Sequence, residues 1–196
     1  MSEQQDNPYE AWVGRKEILS ANIDVAVTNA MAATLDYAIE PMTGDALPHG
    51  WQWLYFNPKA RRSELGIDGH PARGGFLPPV ELPRRMWAGS RISYLAAVPI
   101  GAEAEKTSEI LTVKNKQGKS GALCFVTVKH SISCDGTVCI EEEQDIVYRG
   151  VTPATSTPPP KPRRHEAEAQ WSVEFHPDTT LLFRYSALTF NGHRIH

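Results

Sequence analysis

Two long alternating segments joined by Asp135-Gly136 constrain this chain more than any other feature. Residues 119–134 place Cys124, Val126, Val128, His130 and Ile132 on one face, and residues 137–149 place Val138, Ile140, Glu142, Gln144, Ile146 and Tyr148 on one face. A period of two marks a strand with one buried side. Asp-Gly suits a tight turn whose two central residues both have positive φ, so the segments pair as an antiparallel hairpin. Both exceed the ~5–6 residues of an ordinary strand. A third strand over 105–114, turning at Asn115-Lys116-Gln117-Gly118, completes a β-meander within 91–149. Long strands in a strongly bent sheet can wrap a helix.

A helix to be wrapped is present upstream. Residues 25–38 contain no Gly or Pro, Asp24 is placed to accept the first orphan amide hydrogens, and Pro41 marks the stop. Ala26, Ala30, Ala32 and Ala33 keep this helix narrow and apolar over much of its circumference, which implies burial on most sides. A helix enclosed by long antiparallel strands is the hot-dog arrangement, one of several α+β options that periodicity leaves open.

The rest of the chain is less regular. Residues 42–90 read as a Gly- and Pro-punctuated loop region, and irregular stretches of that length are usually functional. Residues 151–169 hold Pro158-Pro159-Pro160-Lys161-Pro162-Arg163-Arg164, an extended spacer. Beyond it, Trp171-Ser172-Val173-Glu174-Phe175 alternates like a strand, and Pro177-Asp178 reads as a turn leading into a helix. The expected organisation is a folded unit over 10–150, a linker over 151–169 and the start of a second unit over 170–196.

Composition excludes several classes of partner. A net charge of -3 in 196 residues gives no electrostatic footprint for nucleic acid or an anionic membrane. No apolar run reaches the ~20 residues that span a bilayer. The polar start Met1-Ser2-Glu3-Gln4-Gln5-Asp6 resembles neither a signal nor a transit peptide. Cys124, Cys134 and Cys139 lack the spacing of a metal knuckle or a redox pair, so they read as buried free thiols in a cytoplasmic protein.

The end of the chain is dense in chemistry. An apolar, aromatic run leads into Asn191-Gly192-His193-Arg194-Ile195-His196. Upstream, in order, stand Gly69-His70-Pro71, Gly75-Phe76-Leu77-Pro78-Pro79, Arg84-Arg85-Met86-Trp87-Ala88-Gly89 and Gln144-Asp145-Ile146-Val147-Tyr148-Arg149. This set of motifs, spread over nearly the whole chain, resembles the double-hot-dog acyl-thioester dehydratases, related to the MaoC-like enoyl-CoA hydratases. The resemblance implies an α+β hot-dog fold, a first half that helps hold the acyl group, and the opening of a second, catalytic half that continues beyond His196 in the family. It also implies reversible addition of water to an enoyl thioester such as mesaconyl-CoA. No metal or redox cofactor is needed, with CoA part of the substrate, because the thioester acidifies the adjacent carbon.

That reaction needs a base for water and donors for the enolate-like oxygen. In MaoC-like hydratases an Asp and a His stand at the spacing of Asn191 and His196. The resemblance therefore gives His196 the acid–base role. Asn191 departs from the pattern, since an amide cannot act as a base, and is assigned to positioning water or substrate. Backbone amides near Gly192 are candidate oxyanion donors. Arg84, Arg85, Trp87, His193 and Arg194 are candidate substrate-binding residues. Arg84 and Arg85 would meet CoA phosphates or a substrate carboxylate, or else anchor a loop by ion pairing. His193 with His196 makes too small a ligand set for zinc.

Other features carry plainer readings. Asp68-Gly69-His70-Pro71 reads as a turn. The aromatic residues of 51–56, with Phe76, line an acyl tunnel or fill the core. His130 is a satisfied strand histidine, and Glu141-Glu142-Glu143 a solvated strand edge. Two other functions compete with hydration: an acyl-binding hot-dog module that pairs with a catalytic chain, and a thioesterase using Glu142 or Asp145. Expected partners are an acyl-CoA or acyl-carrier thioester and a second hot-dog chain, most simply as a homodimer.

Overall fold

The computed structural model describes residues 7–118, 121–151 and 169–194. Five strands form one antiparallel sheet: β1 (Lys16–Asn22), β2 (Arg84–Tyr94), β3 (Glu103–Gly118), β4 (Gly121–Cys134) and β5 (Thr137–Arg149), in the order β1-β3-β4-β5-β2. Among the described residues two α-helices accompany it, α1 (Val25–Thr34) and α2 (Thr179–Leu188). The fold is the α+β hot-dog arrangement.

The Asp135-Gly136 hairpin forms as its residues require, with φ of 47° and 75°. The register then changes from Ile132↔Ile140 to Ser133↔Val138, which leaves Cys139 as the extra residue of a bulge. The bulge turns Cys139 into the core and leaves Val138 40% exposed, so strict alternation fails at Val138. The expected turn at 115–118 is also corrected. Those residues stay paired, from Asn115↔Cys124 to Gly118↔Gly121. Gly121 supplies the left-handed conformation, at φ 113°.

Residues 84–90, expected as loop, begin an edge strand. β2 pairs with β5 from Arg84↔Arg149 to Tyr94↔Ile140, with an irregularity between Trp87 and Gly89. The irregularity and the solvated edge explain why Arg-Arg-Met-Trp-Ala-Gly shows no alternation. A second consequence is that β5 lies inside the sheet, between β4 and β2. Glu141–Glu143 are therefore not a solvated edge, and Glu142 is only 5% exposed.

α1 starts where expected: the Asp24 carboxylate accepts the Ala26 N–H at 2.7 Å. It ends four residues earlier than the expected Ala38. Asp36 turns left-handed at φ 56°, and the Tyr37 N–H closes on the Ala32 carbonyl at 2.9 Å, a terminus set well before Pro41. Burial is one-sided rather than all-round. Thr28, Met31 and Ala32 are buried, whereas Ala26, Ala30 and Ala33 are exposed.

The core has two parts. Met31, Ala32, Trp51, Leu54, Ile132, Cys134 and Ile140 belong to the cluster under α1. Ile110, Val126, Val128, Ile146 and Tyr148 form the other, covered by Val80 and its neighbours. Between them runs a polar row, Ser108↔His130↔Glu142 across β3, β4 and β5. Residues 171–175, expected as a strand, are exposed and irregular. Among the described residues no strand pairs with them, and unpaired backbone does not hold a strand.

Candidate functional site

Asp178 starts α2 by accepting the Leu181 N–H at 2.7 Å. The helix closes with Phe190 in the left-handed region, φ 52°, and the Asn191 N–H on the Ser186 carbonyl at 2.8 Å. This terminus aims the chain at the 65–71 loop. The Asn191 side-chain oxygen accepts the His193 N–H at 3.2 Å, holding Asn191-Gly192-His193 in a tight turn. The Arg194 N–H donates to the Asp68 carbonyl at 3.0 Å.

The Asp68–Pro71 turn is real. The Gly69 N–H donates to the Gly66 carbonyl at 3.0 Å, the Gly66 N–H to the His70 carbonyl at 2.8 Å, and the His70 N–H to the Asp68 carboxylate at 3.1 Å. Sequence reading stopped at the turn and missed its partner. His70 lies beside His193, with ring centroids 4.9 Å apart at 55°. A Cβ on Gly69 would fall 2.0 Å from the Gly192 carbonyl oxygen. Both segments carry a Gly-His pair, Gly69-His70 and Gly192-His193, and the two pairs face one another. That repeated dipeptide was the available signal.

A cavity of about 210 Å³ is lined in part by Thr189, two residues before Asn191. Met31 and Leu35 come from the α1 side, Trp51 and Trp53 from a short 3-10 turn over Trp51–Leu54, and Tyr185 and the C-cap Thr189 from the end of α2. Its walls are mostly apolar, as a site for a hydrocarbon chain requires. His49, also on the wall, stacks on Tyr94 with centroids 3.7 Å apart. Burial raises the Tyr185 hydroxyl above its ordinary pKa, so it stays protonated. Of the 51–56 aromatics, Trp51, Tyr55 and Phe56 are core, as one of the two expectations had it, and Trp51 and Trp53 also line this cavity.

Trp53 is fixed from behind. Its indole N–H donates to one Glu142 oxygen at 3.2 Å, and the Ser90 hydroxyl donates to the other at 2.6 Å. The Trp87 indole N–H in turn donates to Ser90 at 3.0 Å. Trp87 is thereby the outer end of a chain leading to Glu142, and its ring is 64% exposed on the edge strand. Around Glu142 the burial of Lys106 lowers its ammonium pKa, against the pull of Glu17 and Glu142. Burial and the Lys106 charge likewise lower His130, whose ring nitrogens meet Ser108 at 2.8 Å and Gln144 at 3.4 Å.

The remaining candidates divide. Arg84 is exposed at the start of β2, and Arg85 lies opposite Tyr148, so both belong to the edge strand rather than to the 191–194 junction. Asn191, Gly192, His193 and Arg194 are brought together against the 65–71 loop. His196 and residues 152–168 of the expected linker lie outside the described residues. The two carboxylates considered for a thioesterase are both engaged. Glu142 holds Ser90 and Trp53, and Asp145 holds Arg91 at 2.8 Å and Thr127 at 2.7 Å.

Residues 50–196 match the family model of hydroxyacyl-thioester dehydratase type 2. The chain is 48% identical over 189 residues to mesaconyl-C(4)-CoA hydratase of Chloroflexus aurantiacus, an alignment covering 95% of this chain and 66% of that protein. The chain thus spans about two thirds of that relative's length. Among solved structures, HtdX of Mycobacterium tuberculosis superposes with a TM-score of 0.57 at 14% identity, over 92% of this chain and 64% of that one. A MaoC-like dehydratase superposes with a TM-score of 0.61 at 12% identity, over 95% and 69%. At such identities these two structures speak to the fold alone.

Proposed function

Because this chain belongs to the hydroxyacyl-thioester dehydratase type 2 family, we propose that it takes part in reversible hydration of an enoyl-CoA, with mesaconyl-CoA the first substrate to test. The observation that carries this reading is that the chain passes from the cavity wall to the motif segment within two residues, from Thr189 to Asn191. Tyr185 of α2 and its C-cap Thr189 stand on the cavity wall, and Asn191–Arg194 follow after Phe190. An acyl group in the cavity would have its thioester end beside that segment. The near-half identity to a mesaconyl-C(4)-CoA hydratase supports the same substrate class.

In the proposed mechanism His196 takes a proton from water as the oxygen attacks the β-carbon. The electron pair of the double bond moves toward the thioester oxygen, and a proton is returned to the α-carbon. The Gly192 amide is the donor proposed for the developing oxyanion. The Asn191 amide orients water or substrate, and His193 and Arg194 bind its polar end. Arg84, Arg85 and Trp87, on the exposed edge strand, are assigned to the CoA moiety or to a partner chain. The reaction as written uses no metal and no redox cofactor. Residues 10–150 act as the acyl-holding half and 170–196 as the beginning of the catalytic half, in a cytoplasmic assembly of two hot-dog chains. Among the described residues no helix is long and apolar enough to cross a membrane.

The test is loss of enoyl-thioester ultraviolet absorbance when the full chain meets mesaconyl-CoA. His196→Ala should lower kcat by about 100-fold or more, the ordinary contribution of a general base. Near-normal turnover of that variant would remove His196 from the mechanism. Release of free CoA without hydration would replace the reading by a thioesterase.

A further inference from the structure

The loop over 65–71 and the segment over 191–194 are separated by more than half the chain, yet their backbones cross with no space between them. An ideal Cβ on Gly69 would sit 2.0 Å from the Gly192 oxygen, 3.0 Å from the Gly192 carbonyl carbon and 3.6 Å from the His193 Cα. Seen from the other side, a Cβ on Gly192 would lie 3.2 Å from the Gly69 carbonyl oxygen. The Arg194 N–H to Asp68 carbonyl bond, at 3.0 Å, locks the crossing one residue further on. Gly69 is itself left-handed, φ 87°, inside a turn braced by the Asp68 carboxylate on the His70 N–H. Conformation alone would favour glycine there. The 2.0 Å approach is a separate demand, because no side chain of any kind fits.

We infer that Gly69 is a positioning residue: the absence of its side chain lets the 65–71 loop seat Asn191-Gly192-His193 at the height from which they address the substrate. This inference rests on the hydratase reading for what the seated segment does, but not for the crossing itself. A methyl group at position 69 must push the two backbones apart by roughly an ångström, and a displacement of that size costs about 100-fold in a reaction that depends on near-attack geometry.

Gly69→Ala is the test, with Gly14→Ala as its control. Gly14 is also left-handed, φ 82°, but a Cβ there meets nothing within 4 Å, so it carries the backbone strain without the collision. The expected result in the full chain is a kcat about 100-fold lower for Gly69→Ala, with KM raised by less than kcat falls, and Gly14→Ala unchanged in both. Hydrogen–deuterium exchange gives a readout independent of turnover: the Arg194 amide should lose protection in Gly69→Ala and keep it in Gly14→Ala. A milder pair guards against a variant that does not fold. Asp68→Ala removes the brace on His70 and should lower kcat about tenfold, while Asp68→Asn keeps an acceptor and should restore it. Equal kcat in Gly69→Ala and Gly14→Ala, or Asp68→Asn as impaired as Asp68→Ala, would overturn the inference. Wild-type protein that protects the Arg194 amide but hydrates no enoyl-CoA would refute the hydratase reading instead and leave the crossing intact.

Discussion

Glu142→Gln is the most informative stability test, because Glu142 is a carboxylate almost wholly buried in the middle of a sheet. Its two oxygens take separate donors, the Ser90 hydroxyl at 2.6 Å and the Trp53 indole at 3.2 Å. Hydrogen bonds to a charged acceptor contribute about 1.5–3 kcal/mol each. A glutamine can accept from the Trp53 indole and turn its NH2 to the Ser90 hydroxyl, which also accepts, so the charge-assisted bond from Ser90 is lost and only a weaker neutral one in the reverse direction replaces it. The expected cost is about 1.5–3 kcal/mol. Ser90→Ala removes the shorter of the same two bonds and should cost a similar amount. Because both changes break one interaction, the double variant should fall short of their sum by ~1 kcal/mol or more. Urea unfolding followed by tryptophan fluorescence measures all three. The same variants have a functional signature, since Trp53 lines the cavity: KM for the acyl thioester should rise more than kcat falls. Additive costs in the cycle, or a Glu142→Leu protein more stable than wild type, would show that the carboxylate is a burden rather than a hub.

Three further outcomes are expected. Burial and the Lys106 charge hold the folded-state pKa of His130 below the unfolded value, so the unfolded chain binds the proton more readily and stability should decline as pH falls below about 6.5; His130→Gln should flatten that decline in denaturation curves recorded against pH. Burial, with Cys139 alongside, pushes the Cys134 thiol up to about 11, and Cys124 is raised by burial. All three cysteines are buried and free. A chromogenic disulfide reagent should therefore find no reactive thiol in native protein and three after denaturation. Asp178→Ala should cost about 1 kcal/mol in urea unfolding through loss of the α2 cap, whereas Asp178→Ser should recover most of it.

Features that depend on local chemistry were legible in the sequence. Asp135-Gly136, Asp24 and Asp178 each do what their backbone and side chains dictate without help from distant residues. Features set by tertiary partners were not. Residues 84–90 become a strand only because β5 offers a partner, and Glu142 is buried only because β2 lies beyond it. α1 stops at Thr34 because Asp36 accepts a left-handed conformation, a choice that composition before Pro41 does not forecast. The site divided along the same line. The family motif named Asn191 to Arg194, but it could not say that the Gly69 turn is what they rest on.

The polar row explains how such a sheet keeps one register. Alternation fixes which face of β5 is buried, but a slip of two residues preserves every face and so is not forbidden by hydrophobicity. Glu142 breaks that degeneracy. In the observed register it sits opposite His130, within reach of Ser90 and Trp53. Slipped by two, it would face Val128 or Ile132, placing a carboxylate in one of the two apolar clusters with neither donor at hand. An unpaired buried charge costs several kcal/mol, more than the small difference between alternative strand pairings. The register so chosen sets where Trp53 stands against the sheet, and Trp53 lines the same cavity as Thr189. A residue with no place in the proposed chemistry thus determines the shape of the space in which that chemistry occurs.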